Sequence, residues 1–202
     1  MNGFLKRDYY LISENLKFYV LFMAAFALLA VFTDFSTSFF AIYVVIFAMS
    51  SVMGLFSYDD FNHWTAYGAA APAGRAAMVD ARYLLTLLLA VGVSAVQTLM
   101  GFLGKEENTL LMAVVYGGVF LLYAAVTLPV CYHFGGTRAR TVMIVIVVVI
   151  AAFAGMGGAI LSIRGVNGLR LPPVTLLLPL VGTAAMALSW RVSLGIMARK
   201  EL

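Results

Sequence analysis

The side chains that could carry out catalysis are few and widely spaced. The histidines His63 and His133 lie far apart, and the adjacent carboxylates Glu106 and Glu107 have no nearby His or Arg to complete a catalytic set. No nucleophile elbow, zinc-binding His pair or phosphate-binding glycine loop is present in the sequence. The single cysteine, Cys131, excludes an internal disulfide and a cysteine-based metal cluster. We therefore expect a non-catalytic chain that binds no cofactor of its own.

The segment 57–82 has the most concentrated set of residues suited to recognising a partner. Asp59 or Asp60 is expected to cap a short helix that carries Phe61, Trp64 and Tyr67 at positions i, i+3 and i+6. This spacing favours one aromatic face, which would suit docking on a partner protein. The alternative is that the aromatic side chains are ordinary anchors at the membrane interface.

A second short helix is predicted to begin near Gly74, after a turn at Pro72. It would carry Arg75 and Arg82 into the next apolar block. The whole segment 57–82 is the longest stretch outside the predicted spans, so it offers most opportunity for contact with a soluble protein.

The elements that must position these residues are membrane helices. The chain has 202 residues, of which 63% are hydrophobic and 11% charged, and a mean hydropathy of +1.00. A soluble domain carries about 25% charged residues, so lipid must be the solvent for much of this chain. We predict an all-α bundle of about six spans, with Pro129 ending or kinking the fourth and Pro179 inside the sixth. The spans lie near 18–32, 39–56, 83–103, 109–130, 141–163 and 174–190.

The charge distribution predicts the orientation of the bundle. Ten of the thirteen Lys and Arg residues fall on one side if the N-terminus is cytoplasmic. By the positive-inside rule, both termini should face the cytoplasm, in a multi-pass protein of the cell inner or plasma membrane. Every acidic residue lies outside the predicted spans, which disfavours a self-contained ion-coupled carrier, although Gln97 could face a pathway.

The apolar residues of the N-terminal segment 3–17 have the spacing of an amphipathic helix. Leu5, Tyr9, Ile12 and Leu16 share one face, opposite charged and polar residues. We expect a helix that lies in the headgroup plane. The alternative is a cytoplasmic extension of the first span.

Three stretches together resemble the permease subunits of bacterial type-2 ABC exporters, in particular small six-helix permeases with separate ATPases. The segment 4–17 is similar to that family's N-terminal amphipathic helix, and the segment 58–75 to its loop of acidic residues, Trp, Tyr, Pro and Arg. The segment 189–202 resembles its basic helical tail. The sequence differs in the small residues that surround Pro72, where the family has larger residues and a hydroxyl.

The resemblance implies a permease that forms a homo- or heterodimer above two ABC ATPase subunits, which would bind ATP and Mg²⁺. The first inner loop would be the coupling helix, roughly 59–67, with Trp64 and Tyr67 as anchors and Arg75 stabilising the loop. The implied ATPase-coupling residues are Asp59, Asp60, Phe61, Trp64, Tyr67 and Arg75. Cargo in similar systems includes amphipathic or antimicrobial peptides, lipids and drugs, and no nucleic acid is expected as a partner. The alternative is a membrane scaffold or immunity-type protein that only binds partners.

Overall fold

The computed structural model describes residues 2–32, 37–71, 74–103, 109–145 and 177–200, and all regular secondary structure in these ranges is helical. The all-α prediction is therefore confirmed for this part of the chain. In chain order the helices are α1 (Asn2–Phe32), α2 (Thr37–Phe61), α3 (Trp64–Ala70), α4 (Gly74–Leu103), α5 (Thr109–Phe134), α6 (136–145) and α7 (Leu178–Arg199).

Within the described residues, four helical segments are long and apolar enough to cross a membrane: Tyr43–Phe61, Gly74–Phe102, Thr109–Phe134 and Leu178–Arg199. They correspond to the second, third, fourth and sixth predicted spans. The predicted span at 141–163 falls largely outside the described residues.

The N-terminal residues form one helix. We expected an interfacial helix at 3–17 followed by a separate span at 18–32, but α1 runs from Asn2 to Phe32 without a break. The separate interfacial helix is thus not confirmed, and the continuous helix matches the alternative of an extended first span. Ile12 packs against Leu55 of α2 and Leu85 of α4.

Both prolines that were expected to interrupt spans are accommodated. Pro129 lies inside α5, which continues to Phe134 instead of ending there. Membrane helices tolerate proline because neighbouring groups can satisfy the backbone atoms that it frees. Pro179 lies in the first turn of α7 and not in its interior. The missing N–H of proline costs nothing at that position, because the first-turn N–H groups have no intrahelical partner.

The core lies around α5, which packs against α2, α4 and α7. Its Phe120 and Leu128 are fully buried, together with Val52 of α2 and Val79 of α4. The α5–α7 contact is close because both helices present a glycine. A Cβ at Gly118 would lie 3.0 Å from the backbone nitrogen of Pro179, and one at Gly182 would lie 2.9 Å from Cβ of Leu121. Small residues allow helices to approach closely in membranes.

Five helix ends meet at one end of the bundle, which we call the terminal end. The start of α1 and the end of α2 meet the first turns of α4 through the side chains described below. The Lys200 ammonium, just after α7, donates to the carbonyl of Tyr132 near the end of α5 at 3.1 Å. This convergence brings the N-terminus, the α2–α3 connection and the C-terminal part of the chain together.

Candidate functional site at the terminal end

Four charged side chains from three helices form a closed arrangement that we call the charge ring: Arg7, Asp8, Asp59 and Arg82. The Arg82 guanidinium donates to both carboxylate oxygens of Asp8, at 2.8 and 3.2 Å, and to Asp59 at 2.8 Å. Arg7 donates to Asp59 at 2.5 Å and to its neighbour Asp8 at 3.3 Å. Each carboxylate thus contacts both guanidinium groups, and the ring has no net charge.

The ring is largely removed from solvent. Asp8 and Arg82 are each 3% exposed and Asp59 is 4% exposed. Taking charges out of water is costly unless their hydrogen bonds are satisfied, so such groups persist only in good geometry. Of the ring's donors within the described chain, Arg82 Nη1 is buried without a hydrogen-bond partner. The ring therefore fixes α1, α2 and α4 at a defined relative position, because a shift of any one helix would leave a buried charge unpaired.

Aromatic rings cover the two guanidinium groups. Arg7 Cζ lies 4.2 Å from the centroid of the Trp64 ring, and Arg82 Cζ lies 4.5 Å from that of Phe56. Phe56 also makes an edge contact with Tyr132 of α5, with 4.9 Å between ring centroids. These cation–π contacts extend the ring to α3 and α5.

The connection between α2 and α3, which we call the elbow (residues 61–67), includes a two-residue turn at Asn62 and His63. The Asn62 side chain donates to the carbonyl of Tyr58 at 2.9 Å, at the end of α2. His63 follows with φ 52°, and α3 begins at Trp64. Asn and His adopt this left-handed region more readily than most residues, and it redirects the chain within two positions.

Our prediction that Asp59 or Asp60 caps the short helix is wrong. Both residues lie in the last turn of α2, and the residue that precedes α3 is His63, which makes no side-chain capping bond. Asp59 is retained in α2 because it pairs with both arginines of the ring. As a result Phe61 and Trp64 belong to different helices, and the expected aromatic face does not form.

Asp60 instead binds the start of another helix. Its Oδ2 atom accepts a hydrogen bond from the backbone N–H of Thr137 at 3.2 Å. Gly135 has φ 81° at the α5–α6 junction, which glycine adopts without steric cost. A carboxylate at a helix N-terminus satisfies a free N–H and opposes the positive end of the helix dipole. Asp60 therefore links α2 to α6.

Arg75 fastens α4 to the end of α7. Its Nη1 atom donates to the carbonyl oxygens of Met197, Ala198 and Lys200 at 3.2, 3.4 and 2.9 Å. The last carbonyls of a helix lack intrahelical partners, and a guanidinium satisfies them. The family resemblance implied that Arg75 stabilises the loop; in the structure its hydrogen bonds run to the C-terminal segment.

The six predicted coupling residues thus divide into two groups. Asp59, Trp64 and Arg75 contact other parts of the same chain, and Asp60 is half-buried beside α6. Phe61, the first residue of the elbow, is 84% exposed, and Tyr67, its last residue, is 69% exposed. Only the aromatic pair is presented outward as a contact surface.

The charge ring was not predicted from the sequence. Asp8 was counted only among the acidic residues outside the predicted spans, Asp59 or Asp60 was expected to cap a helix, and Arg82 was counted among the basic residues that set the orientation. A signal was available for two members, because Asp59 and Arg82 each lie within three residues of a predicted span, whereas Arg7 and Asp8 lie ten or more residues before the first span. Ionisable groups at such depth are expected to pair with one another.

Comparison with known families identifies the chain. The model of a family described as "ABC-2 family transporter protein" matches residues 3–198. The chain belongs to the ABC-2 transporter family. This match confirms the resemblance and covers both the charge ring and the elbow. Comparisons with curated proteins and with solved structures give no match.

Membership assigns the chain to the membrane component of an ABC-2 transporter. Such a component is a multi-pass permease that associates with an ABC ATPase, and the ABC-2 permease is typically the non-catalytic part. In the described ranges, no group of three or more His, Cys, Asp or Glu side chains is placed to hold a metal ion.

Proposed function

We propose that this ABC-2 permease is the membrane subunit of an ATP-driven exporter, with the elbow as the surface that receives the ATPase. Two copies, or this chain and a related one, would form the transport path, with the terminal end facing the cytoplasm. Family membership and the clustering of basic residues at that end support this arrangement. ATP and Mg²⁺ would be bound by the separate ATPase.

The observation that carries the proposal is the exposed pair Phe61 and Tyr67 on a rigid support. Large aromatic side chains are common anchors at protein interfaces, where they fill pockets on the partner. Here Phe61 is the last residue of α2, and Tyr67 lies in α3, four positions after the two-residue turn that joins the helices. An ATPase that binds both side chains would contact α2 through Phe61 and α3 through Tyr67. Since α4 follows α3 in the chain, this one contact would act on two membrane helices, α2 and α4.

The charge ring explains how a movement at the elbow could reach the bundle. Asp59 lies two positions before Phe61 and binds Arg82 of α4 and Arg7 of α1. Trp64 lies three positions after Phe61 and packs under Arg7. Displacement of the elbow would therefore move α1, α2 and α4 together, as one body, relative to the rest of the bundle.

The first experiment is purification of the chain from its native membranes in nanodiscs, with mass identification of the proteins that accompany it. We expect an ATPase with a phosphate-binding loop in roughly equal amount. Recovery of the chain without such an ATPase would contradict the proposal and would favour a scaffold that binds other partners.

The second experiment locates the contact. We expect the double variant Phe61→Ala/Tyr67→Ala to weaken ATPase binding at least about tenfold, because each truncation of an interface anchor commonly costs more than about 1 kcal/mol. Trp64 is left intact because it supports Arg7. Phe102→Ala, an exposed aromatic near the other end of α4, is the matched control and should bind normally. Equal ATPase binding by all three proteins would exclude the elbow as the docking surface.

A further inference from the structure

An open groove runs between α4 and α7, on the outer surface of the bundle. The two helices are antiparallel, since Arg75 meets the end of α7 while Tyr83 donates to or accepts from Ser189 at 2.7 Å. The groove has a volume of about 380 Å³, and its walls include Leu84, Leu87 and Met186. This volume falls within the range of about 300–1,000 Å³ that is common for small-molecule sites.

One end of the groove carries a carboxylate with spare capacity to accept hydrogen bonds. Asp80 Oδ1 accepts a hydrogen bond from Trp190 Nε1 at 2.8 Å. Among the described residues, no hydrogen-bond partner lies within reach of Asp80 Oδ2. No Lys or Arg forms an ion pair with this carboxylate either, because all the ion pairs in the described part of the chain belong to the charge ring. The aromatic rings of Tyr83 and Trp190 border the same end.

The groove is polar at one end and mainly apolar along the rest of its length, where the hydroxyl of Thr183 donates to the carbonyl of Leu180 in its own helix. From Asp80 to Leu87 the α4 wall advances by seven residue positions, or about 10 Å at the rise of an α-helix. The polar end lies toward the terminal end of the bundle, and the apolar part extends toward the middle of α4 and α7. An amphiphile in a bilayer has the same order, with its head near the interface and its chain in the hydrocarbon.

We propose that this groove binds a cationic amphiphile, with an ammonium head beside Asp80 and Trp190 and an aliphatic chain along Leu84, Leu87 and Met186. An unpaired carboxylate attracts a cation and repels the phosphate of a zwitterionic phospholipid. Trp is the aromatic ring that best binds ammonium groups. The groove is formed by this chain alone, so binding of the amphiphile does not depend on an ATPase at the elbow.

The test uses the full chain in phosphatidylcholine nanodiscs, in a Trp64→Phe background that leaves Trp190 as the remaining tryptophan. The probe is a dodecyl-dimethylammonium nitroxide, whose head quenches nearby indole fluorescence. The uncharged dodecyl amide of the same nitroxide is the matched probe. We expect saturable quenching of Trp190 by the cation, and weaker binding of the uncharged probe.

Two variants separate the contributions of charge and shape. Asp80→Asn keeps an acceptor for Trp190 and should weaken cation binding about five- to tenfold, because a charge pair at the membrane edge is only partly screened. It should leave binding of the uncharged probe unchanged. Ala187→Phe narrows the groove and should weaken binding of both probes. Glu14→Gln removes an exposed carboxylate on α1 and should change neither.

Equal affinity for the two probes, or cation binding that is unaffected by both Asp80→Asn and Ala187→Phe, would overturn the proposal. The pull-down of an ATPase is a separate measurement, so a failure of the groove and a failure of the proposed function can be told apart.

Discussion

Arg82 is the buried arginine that joins three helices at the terminal end. It is buried, contacts carboxylates from two different helices and lies over the ring of Phe56. Removing one partner from a buried ion pair costs more than the pair itself contributes, because the remaining charge stays buried without compensation. In this ring the loss would leave two carboxylates facing one arginine.

We therefore expect Arg82→Ala to destabilise the protein by about 3–5 kcal/mol. Thermal unfolding in nanodiscs, followed by circular dichroism, measures the change. Arg140→Ala is the control, because Arg140 is exposed on α6. The free energy of unfolding of this variant should lie within about 0.5 kcal/mol of that of the original chain. Indistinguishable unfolding of the two variants would show that the ring does not hold the three helices together.

At this scale the sequence singled out residues that make contacts within the chain, while their role in coupling to an ATPase stays a prediction. Asp59, Trp64 and Arg75 were selected as partner contacts, yet they contact α1, α4 and α7 of the same chain. The reason is that a sequence pattern gives neighbours along the chain, whereas Asp59 and Arg82, or Arg75 and Met197, are brought together only by the packing of helices.

At the scale of elements, the crossing of α2 and α6 depends on one missing side chain. A Cβ atom at Gly136 would overlap the backbone carbon of Phe56 and the backbone nitrogen of Ser57. Backbone atoms cannot move aside as the end of a flexible side chain can. Gly136 and the Asp60–Thr137 hydrogen bond together fix where α6 begins against α2.

We expect Gly136→Ala to destabilise the protein by about 1–3 kcal/mol, the usual cost of forcing an extra methyl group into a packed contact. Gly195→Ala in α7 is the matched control, since its Cβ meets nothing within 4 Å. That control should be neutral or stabilising by up to about 1 kcal/mol, because alanine favours the helix. The same thermal unfolding assay compares them, and a Gly136 variant as stable as the Gly195 variant would contradict the close crossing.

The elements themselves were largely predictable, and their ends were not. Apolar blocks identified α2, α4, α5 and α7, since an uninterrupted apolar run of this length is typical of a membrane helix. The helices extend past those blocks where polar residues find partners: α2 includes Asp59 and Asp60, and α4 begins at Gly74 with Arg75 next to it. We predicted that every acidic residue lies outside the spans. Three of them lie within the helices α2 and α4: Asp59, Asp60 and Asp80.

At the scale of the whole molecule, the terminal end gathers the elbow and both ends of the described chain. If this end is cytoplasmic, then residues 63 and 198 must share one side of the membrane, opposite the end of α4 at Leu103. The positive-inside rule predicts that arrangement.

We expect membrane-impermeant maleimide to label His63→Cys and Ala198→Cys in inverted vesicles and to leave them unlabelled in intact cells. Lys105→Cys should show the reverse pattern. All three are made in a Cys131→Ala background, which removes the natural thiol. Labelling of 63 and 198 from opposite sides would contradict the shared terminal end, and labelling of both in intact cells would reverse the orientation.

The charge ring also bears on the order in which the protein is synthesised and inserted. All four members lie within the first 82 residues, so the ring can close once α4 has left the ribosome, while α5, α6 and α7 are still to be made. Until then Asp59 lacks its Arg82 partner and pairs with Arg7 of α1, while Ile12 of α1 packs against Leu55 of α2. Closure after α4 would give the nascent chain a stable three-helix half, onto which the remaining helices assemble.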